Sequence, residues 1–360
     1  MATDQNIDLQ QDNPIGGKGK RLDRGHSRPV YLHKTATGFQ HPKEQFDVLV
    51  VGELNVDLIL DDLGGMPVMG KEQFAGAMHY TLGSSSAILA ANLSHLGIKV
   101  AFAGKTGKDD FARKICRDLE SKRVDTSMIQ KLAHQSTGIT VALSKGEERA
   151  MITYPGAMTL LTAKDITDQM LLTASHLHVS SVFLQTGLLP DVVNLFYRAR
   201  QLGLTTSLDP QWDPSEKWEL PLKKLLPYVN VFLPNIKELL ALTGADSKET
   251  ALEELKEYLH ILVVKDGKNG ADGWFNHKWT HQPAFVNPEV VDAIGAGDSF
   301  NAGFIYEFIK NRSLEKCLKK GALMGAISTT ASGGTAAFEK MPAGQPLPLE
   351  KYKLKYEATA

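Results

Sequence analysis

The sequence predicts an α/β fold, a mostly parallel central sheet with helices around it and a small second sheet. Three observations predict it. Short continuous apolar runs such as Val48-Leu49-Val50-Val51 recur along the chain, and a strand apolar on both sides is one buried on both faces. Between several runs lie helical stripes, Ala87, Ala90, Ala91 and Leu96 in one and Val192, Leu195, Phe196 and Ala199 in another, so strands and helices alternate as in βαβ units. Residues 57–82 and 137–154 break this rhythm: both are turn-punctuated and strand-like, with no room for a long helix.

In chain order, residues 1–46 come first. Gly16, Gly17, Gly19 and Gly25 stand among Lys18, Lys20, Arg21, Arg24 and Arg28, with few apolar residues and no periodicity. A basic arm for an acidic partner and a poorly structured extension both suit this composition, and the second is preferred because chain ends are often unstructured. GGKGK lacks the Gly-to-Gly-Lys spacing and the Ser/Thr of a P-loop. The main domain is expected over 47–340, with strands at 48–51, 100–103, 176–179, 205–208, 229–233 and 261–264. Parallel sheets bind ligands at the carboxyl ends of their strands, so the insert formed by 57–82 and 137–154 is placed to act as a lid. From 341 to 360 the chain is rich in Pro and Lys and is expected to run over the surface.

Composition narrows the function. The 360 residues carry 40 Lys+Arg and 41 Asp+Glu, a formal charge of −1, which argues against nucleic acid as a partner because polyanion binding needs a concentrated cationic face. Cys116 and Cys317 alone build neither a disulfide framework nor a multi-thiolate metal site. No apolar run approaches the ~18 residues of a membrane span, and the first 46 residues lack a secretory h-region. A cytoplasmic protein with no membrane partner is expected.

The strongest chemical signal is Asp292-Ala293-Ile294-Gly295-Ala296-Gly297-Asp298-Ser299-Phe300. Phe300, Phe304, Ile305 and Phe308 follow at helical spacing, which predicts a helix starting near Asp298. Gly295, Ala296 and Gly297 then feed a helix N-terminus, where free amides and the helix dipole make an anion site. A carboxylate beside such a loop suits phosphoryl transfer: the loop stabilises charge on the moving group and Asp298 accepts the proton of the attacking hydroxyl. A turn followed by a first-turn acid accounts for the same residues.

This segment resembles the D-T-x-G-A-G-D signature of the ribokinase-like (PfkB-type) carbohydrate kinases, with Ala293 in place of the Thr. The resemblance covers roughly residues 47–340 and several stretches match in order. Gly52-Glu53-Leu54-Asn55-Val56-Asp57 is similar to the family's Asn-x-Asp after the first strand, which implies that Asn55 and Asp57 hold the sugar; a polar turn ending a strand is the alternative. Gly83-Ser84-Ser85-Ser86-Ala87-Ile88 resembles G-G-x-x-x-N, with Ser84 for the second Gly and Ile88 for the Asn. Gly83 and Ser85 are implied as substrate-binding, and the serines serve equally as helix caps. Gly156-Ala157 resembles a family Gly-Ala near the sugar.

Pro234-Asn235-Ile236-Lys237-Glu238 resembles P-N-x-x-E. The family implies that Asn235 faces the nucleotide and Glu238 holds Mg²⁺ through water, while the spacing also fits a capping Asn with a first-turn Glu. The stretch 263–270, with Lys265, Gly267 and Gly270, resembles the segment beneath the nucleotide. Residues 317–334, Gly325 among them, resemble the helix bordering the adenine. Asp209-Pro210-Gln211-Trp212, after another strand, departs from the family's Asp-Pro-Asn and is expected to line the site.

The resemblance implies a three-layer sandwich with a small β-sheet lid and an ATP-dependent sugar kinase in which Asp298 is the base. ATP and Mg²⁺ are the implied cofactors, K⁺ is left open, and a homodimer through the lid sheet is an implied assembly. The alternatives are a nucleoside kinase of the same fold and a non-catalytic sugar or nucleotide sensor. His176 and His178 share a strand face with no further ligand nearby in sequence, so a structural role is expected for them.

Overall fold

The computed structural model describes residues 45–145, 148–288, 290–339, 341, 344 and 355–356. The expected N-terminal extension lies outside the described residues except for Gln45 and Phe46. So does the C-terminal tail, apart from Met341, Gly344 and the pair Lys355–Tyr356, which adds antiparallel to Phe285–Val286.

The strands are β1 (Phe46–Val51), β2 (Asn55–Asp61), β3 (Ala77–Leu82), β4 (Val100–Gly107), β5 (Asp125–Leu132), β6 (Gly138–Lys145), β7 (Glu148–Tyr154), β8 (Ala174–Ser180), β9 (Thr205–Asp209), β10 (Val231–Phe232), β11 (Ile261–Lys265), β12 (Ala271–Phe275) and β13 (Lys278–Gln282). Nine of them form one sheet in the order β13-β12-β11-β10-β9-β8-β1-β4-β5. It is parallel from β11 to β5 and antiparallel at β11–β12 and β12–β13.

The continuous apolar runs have a direct cause. Val48 and Val50 of β1 face one core with Phe102, Val263 and Phe304, while Leu49 and Val51 face another with Leu177, Leu208 and Phe196. With helices on both sides, neither face has a polar side. The helices Ser85–His95, Ala296–Ile309 and Leu314–Ser328 cover the first face; Val192–Gln201, Ile236–Thr243 and Lys248–Leu255 cover the second. Of the apolar run at 229–233 only Val231 and Phe232 are a strand. Pro234 follows, although the Leu233 amide still donates to the Leu208 carbonyl at 2.9 Å.

His176 and His178 interrupt the apolar pattern of β8. Their rings join Thr205, Ser207 and Ser180 in a chain of contacts of 2.7–2.9 Å that stitches β8 to β9. Burial pushes both imidazoles down to about 3, so they stay neutral and structural, in agreement with the expectation from sequence.

The second sheet has four strands in the order β3-β2-β6-β7, with β2 and β6 parallel and the outer pairs antiparallel. It therefore arises from the two segments that lacked a βαβ rhythm. Only residues 52–54 separate it from β1. Gly52 permits this close approach, because a Cβ there would lie 1.8 Å from Ser86 Oγ.

Candidate active site

Three chain ends converge at the carboxyl edge of the large sheet. β9 ends in Asp209, β11 ends in Lys265, and the helix Ala296–Ile309 begins beside them. Lys265 Nζ donates to Asp209 Oδ2 at 2.6 Å and to Asn301 Oδ1 at 3.3 Å, and Asn301 Nδ2 donates back to the same Asp209 oxygen. Burial alone would lower the Lys265 ammonium, but Asp209 and Glu238 hold it above its ordinary value. A fully buried carboxylate survives here because a paired cation and further donors saturate it.

The helix starts two residues earlier than the sequence reading placed it. Gly295 is its N-cap, at φ 74°, and Ala296 and Gly297 already belong to the first turn. The cause is local packing: a Cβ on Gly295 would lie 2.5 Å from Gly334 Cα, and Ile88 fills the space beside it. The first intrahelical bond runs from the Ser299 amide to the Gly295 carbonyl at 2.8 Å. The amides of Gly297 and Asp298 thus precede the helical ladder and face outward, as donors for an anion. Asp292 clamps the preceding loop, its two oxygens accepting from the amides of Ile294 and Gly333 at 2.9 Å.

Asp298 lies in that first turn, buried, with Oδ1 accepting from Gln211 Nε2 at 2.9 Å. Burial and the neighbouring Asp209 push its carboxyl up to about 7, against Lys265 and the Ser85 hydroxyl, which favour the charged form. Such an acid is poised to exchange a proton near neutrality.

Asp298 sits on the wall of a cleft of about 870 Å³. Gly295, Ala296, Gly297, Asn235, Glu238, Lys265, Gly267, Gly270 and Gly325 line the same cleft. Every residue read from sequence as anion-binding, nucleotide-binding or metal-binding is therefore on one surface. Two of them have other partners as well. Lys265 is committed to Asp209, and Glu238 closes a capping box in which Asn235 donates twice to its oxygens, at 2.6 and 2.8 Å. Burial and Asp209 raise the Glu238 carboxyl. Its oxygen atoms suit Mg²⁺ held through water.

The residues read as sugar-binding form a second cluster on β2 and the start of the first helix. Asn55 Nδ2 donates to Asp57 Oδ1 at 2.8 Å and to Thr140 Oγ1 at 3.0 Å. Gly83 packs against both side chains, and a Cβ on it would lie 2.2 Å from Asp57 Oδ1. Burial pushes the Asp57 carboxyl up to about 7. Gly156 sits at φ 57°, where a Cβ would lie 2.3 Å from the Ser136 carbonyl, so backbone packing explains this glycine. Ile88, which stands where the family has Asn, packs against Gly295 and Gly334.

Glu53 joins the two clusters, and sequence reasoning gave it no role. It is buried, and Ser86 donates to it from both its hydroxyl, at 2.5 Å, and its amide, at 3.2 Å. Burial raises its carboxyl, and its charge is felt at both Asp57 and Asp298. Ser84 caps the helix at φ 71° and donates to the Glu53 carbonyl. Two of the three serines thus serve structure, and the Ser85 hydroxyl faces Asp298.

A buried carboxyl group, a helix start and a strand-end Lys–Asp pair thus share one cleft. Residues 45–341 match the model of the pfkB family carbohydrate kinases. The chain belongs to that family. This PfkB kinase is 27% identical to an ATP-dependent ribose-1-phosphate kinase of Halopiger xanaduensis, over 81% of this chain and 94% of that one. It is 28% identical to a deoxyribokinase of Salmonella typhi, over 81% and 95%. Among solved structures, Arabidopsis thaliana ribokinase complexed with ribose and ATP superposes with a TM-score of 0.71 at 21% identity, covering 83% of this chain and 96% of that one. A structure from E. coli complexed with ATP and Mg²⁺ gives 0.72 at 21%, over 81% and 96%. The kinase is a carbohydrate kinase with a ribokinase-like fold. Among the described residues, no helix is long and apolar enough to cross a membrane.

Proposed function

We propose that this PfkB kinase transfers the γ-phosphate of ATP to a hydroxyl of a sugar or sugar-like substrate, with Asp298 as general base. The observation that carries this reading is the position of Asp298, a buried carboxyl in the first turn of a helix whose outward amides share its cleft. Asn55 and Asp57 hold sugar hydroxyls, the carboxylate accepting and the amide donating. The acceptor hydroxyl attacks the γ-phosphorus and passes its proton to Asp298, while the amides of Gly297 and Asp298 stabilise charge on the moving phosphoryl group. Glu238 and Asn235 would hold Mg²⁺ through water, and the ion would there supply neutralisation of phosphate charge. The small sheet closes over the sugar and excludes water, the competing acceptor.

The exposed apolar side chains of the small sheet, Met78, Tyr80, Met151, Ile152 and Tyr154, support its use as a homodimer contact. Coupled ADP release measured with ribose, deoxyribose, fructose, ketodeoxygluconate and adenosine tests the activity. Turnover on a sugar is expected. Preference for adenosine supports a nucleoside kinase, and ligand-dependent thermal stabilisation without ADP from any acceptor supports a sensor.

A further inference from the structure

The segment Asp209-Pro210-Gln211, which departs from the family's Asp-Pro-Asn, makes a contact that the scheme above leaves unused. Gln211 Nε2 donates to Asp209 Oδ2 at 3.1 Å and to Asp298 Oδ1 at 2.9 Å. One amide group therefore bridges two carboxylates, Asp209 at the end of β9 and Asp298 at the helix start, the latter 87 residues beyond Gln211 in sequence. The Asp209 end is fixed, since Lys265 and Asn301 hold the same oxygen and the Gln211 amide holds the other at 3.2 Å. Gln211 also keeps a left-handed backbone, φ 59°, a conformation that Asn tolerates better than Gln. Backbone preference thus favours Asn here, yet the longer Gln stands at this position with its amide on both acids.

We propose that Gln211 is a positioning residue for phosphoryl transfer: it ties Asp298 Oδ1 to the buried Asp209–Lys265 pair and fixes the plane in which the carboxylate meets the acceptor hydroxyl. The inference rests on the reading of Asp298 as base. It specifies a division of labour between two carboxylates that are equally acidic in chemistry. Asp209 is spent on structure, with the Lys265 cation and the Asn301 and Gln211 amides around it. Among the described residues, Asp298 has no cation bonded to it and meets only the Gln211 amide and the Ser85 hydroxyl as donors. The groups facing Asp298 are Asp209 and Glu53, which disfavour its charged form, and Lys265 and Ser85, which favour it. Gln211 adds a donor to the charged form, so its loss makes the base harder to ionise.

The test compares wild type, Gln211→Met, Gln211→Asn and Asp298→Asn, using the sugar of the five-acceptor panel that gives the fastest ADP release. Met keeps the length without the donors; Asn keeps the donors without the reach. Both are expected to lower kcat by ~10–100-fold, the scale for a misplaced catalytic group, with KM for ATP within about threefold and the acid limb of the kcat profile moved to higher pH. A turn-forming role alone predicts that Asn is neutral, because it relaxes the backbone. Wild-type kcat and pH profile in Gln211→Asn would overturn the inference. So would a raised KM for ATP at constant kcat, which marks a nucleotide ligand. If Asp298→Asn itself retains turnover, the reading of the base fails first; if it is inactive while both Gln211 variants behave as wild type, only the positioning role fails.

Discussion

The two sheets of this kinase differ in what their side chains are free to do. In the large sheet, Asp209 and Lys265 are locked into each other, and strand faces such as Val48 to Val51 are sealed under helices on both sides. In the small sheet, Asp57 and Thr140 are only part-buried, and Met151, Ile152 and Tyr154 are exposed. Charge in the first region is immobile and aimed at one point, as catalysis requires. The second region keeps surface in reserve for a ligand or a partner.

Four changes sharpen that contrast or break it. Asp298→Asn is expected to lower kcat by ~10²–10⁴, the span for losing a general base, with little change in ATP binding by calorimetry; near-normal turnover would exclude the role. Its stability effect has the opposite sign. The folded carboxyl titrates at about 7 and the unfolded one at ~3.9. The folded state therefore loses stability as pH rises from ~4 to 7 and carries the full penalty above. The variant should thus melt higher than wild type at pH 8, and the gain should vanish below pH ~4.

Lys265→Met leaves the Asp209 carboxylate buried without its cation, so about 3–5 kcal/mol of stability is expected to be lost in denaturant unfolding. A loss under 1 kcal/mol would mean the pair is not locked. Under the proposed sugar-binding role, Asp57→Asn would remove charge-assisted hydrogen bonds worth about 1.5–3 kcal/mol. KM for the sugar should rise by roughly 10–100-fold and KM for ATP should hold; equal rises in both would place Asp57 outside the sugar site. Ile152→Lys has the smallest effect on the folded chain, within about ±0.5 kcal/mol as for most surface changes. It should nevertheless shift sedimentation toward the monomer, and an unchanged distribution counts against the dimer contact.

Much of this was legible in the chain itself. β1 announces itself through four apolar residues because both faces are covered, and the segment 292–298 carries its chemistry in consecutive residues. The remainder depends on pairings between distant segments. Nothing near Gln211 in sequence indicates that it meets Asp298, and nothing near Asp209 indicates Lys265 or Asn301. Glu53 reads as a polar residue in a turn until Ser86, 33 positions later, is seen to satisfy it. Ile88 reads in sequence only as an apolar residue in place of the family's Asn; its packing against the distant backbone at Gly295 and Gly334 emerges only in the fold. Local spacing also misplaced the helix start. Two small residues carry no periodic signal, so the first turn at Ala296 and Gly297 was invisible.

The tripeptide between β1 and β2 has a mechanical consequence. Its middle residue is fastened by Ser86 to the opening turn of the helix Ser85–His95, and Gly52 has no room for a side chain. The link is thus short and fastened, and the helix turn that fastens it also carries Ser85, whose hydroxyl faces Asp298. Under the proposed lid role, a loop inserted at residues 52–54 is expected to loosen the small sheet from the helix turn beside Asp298, read as a higher KM for the sugar.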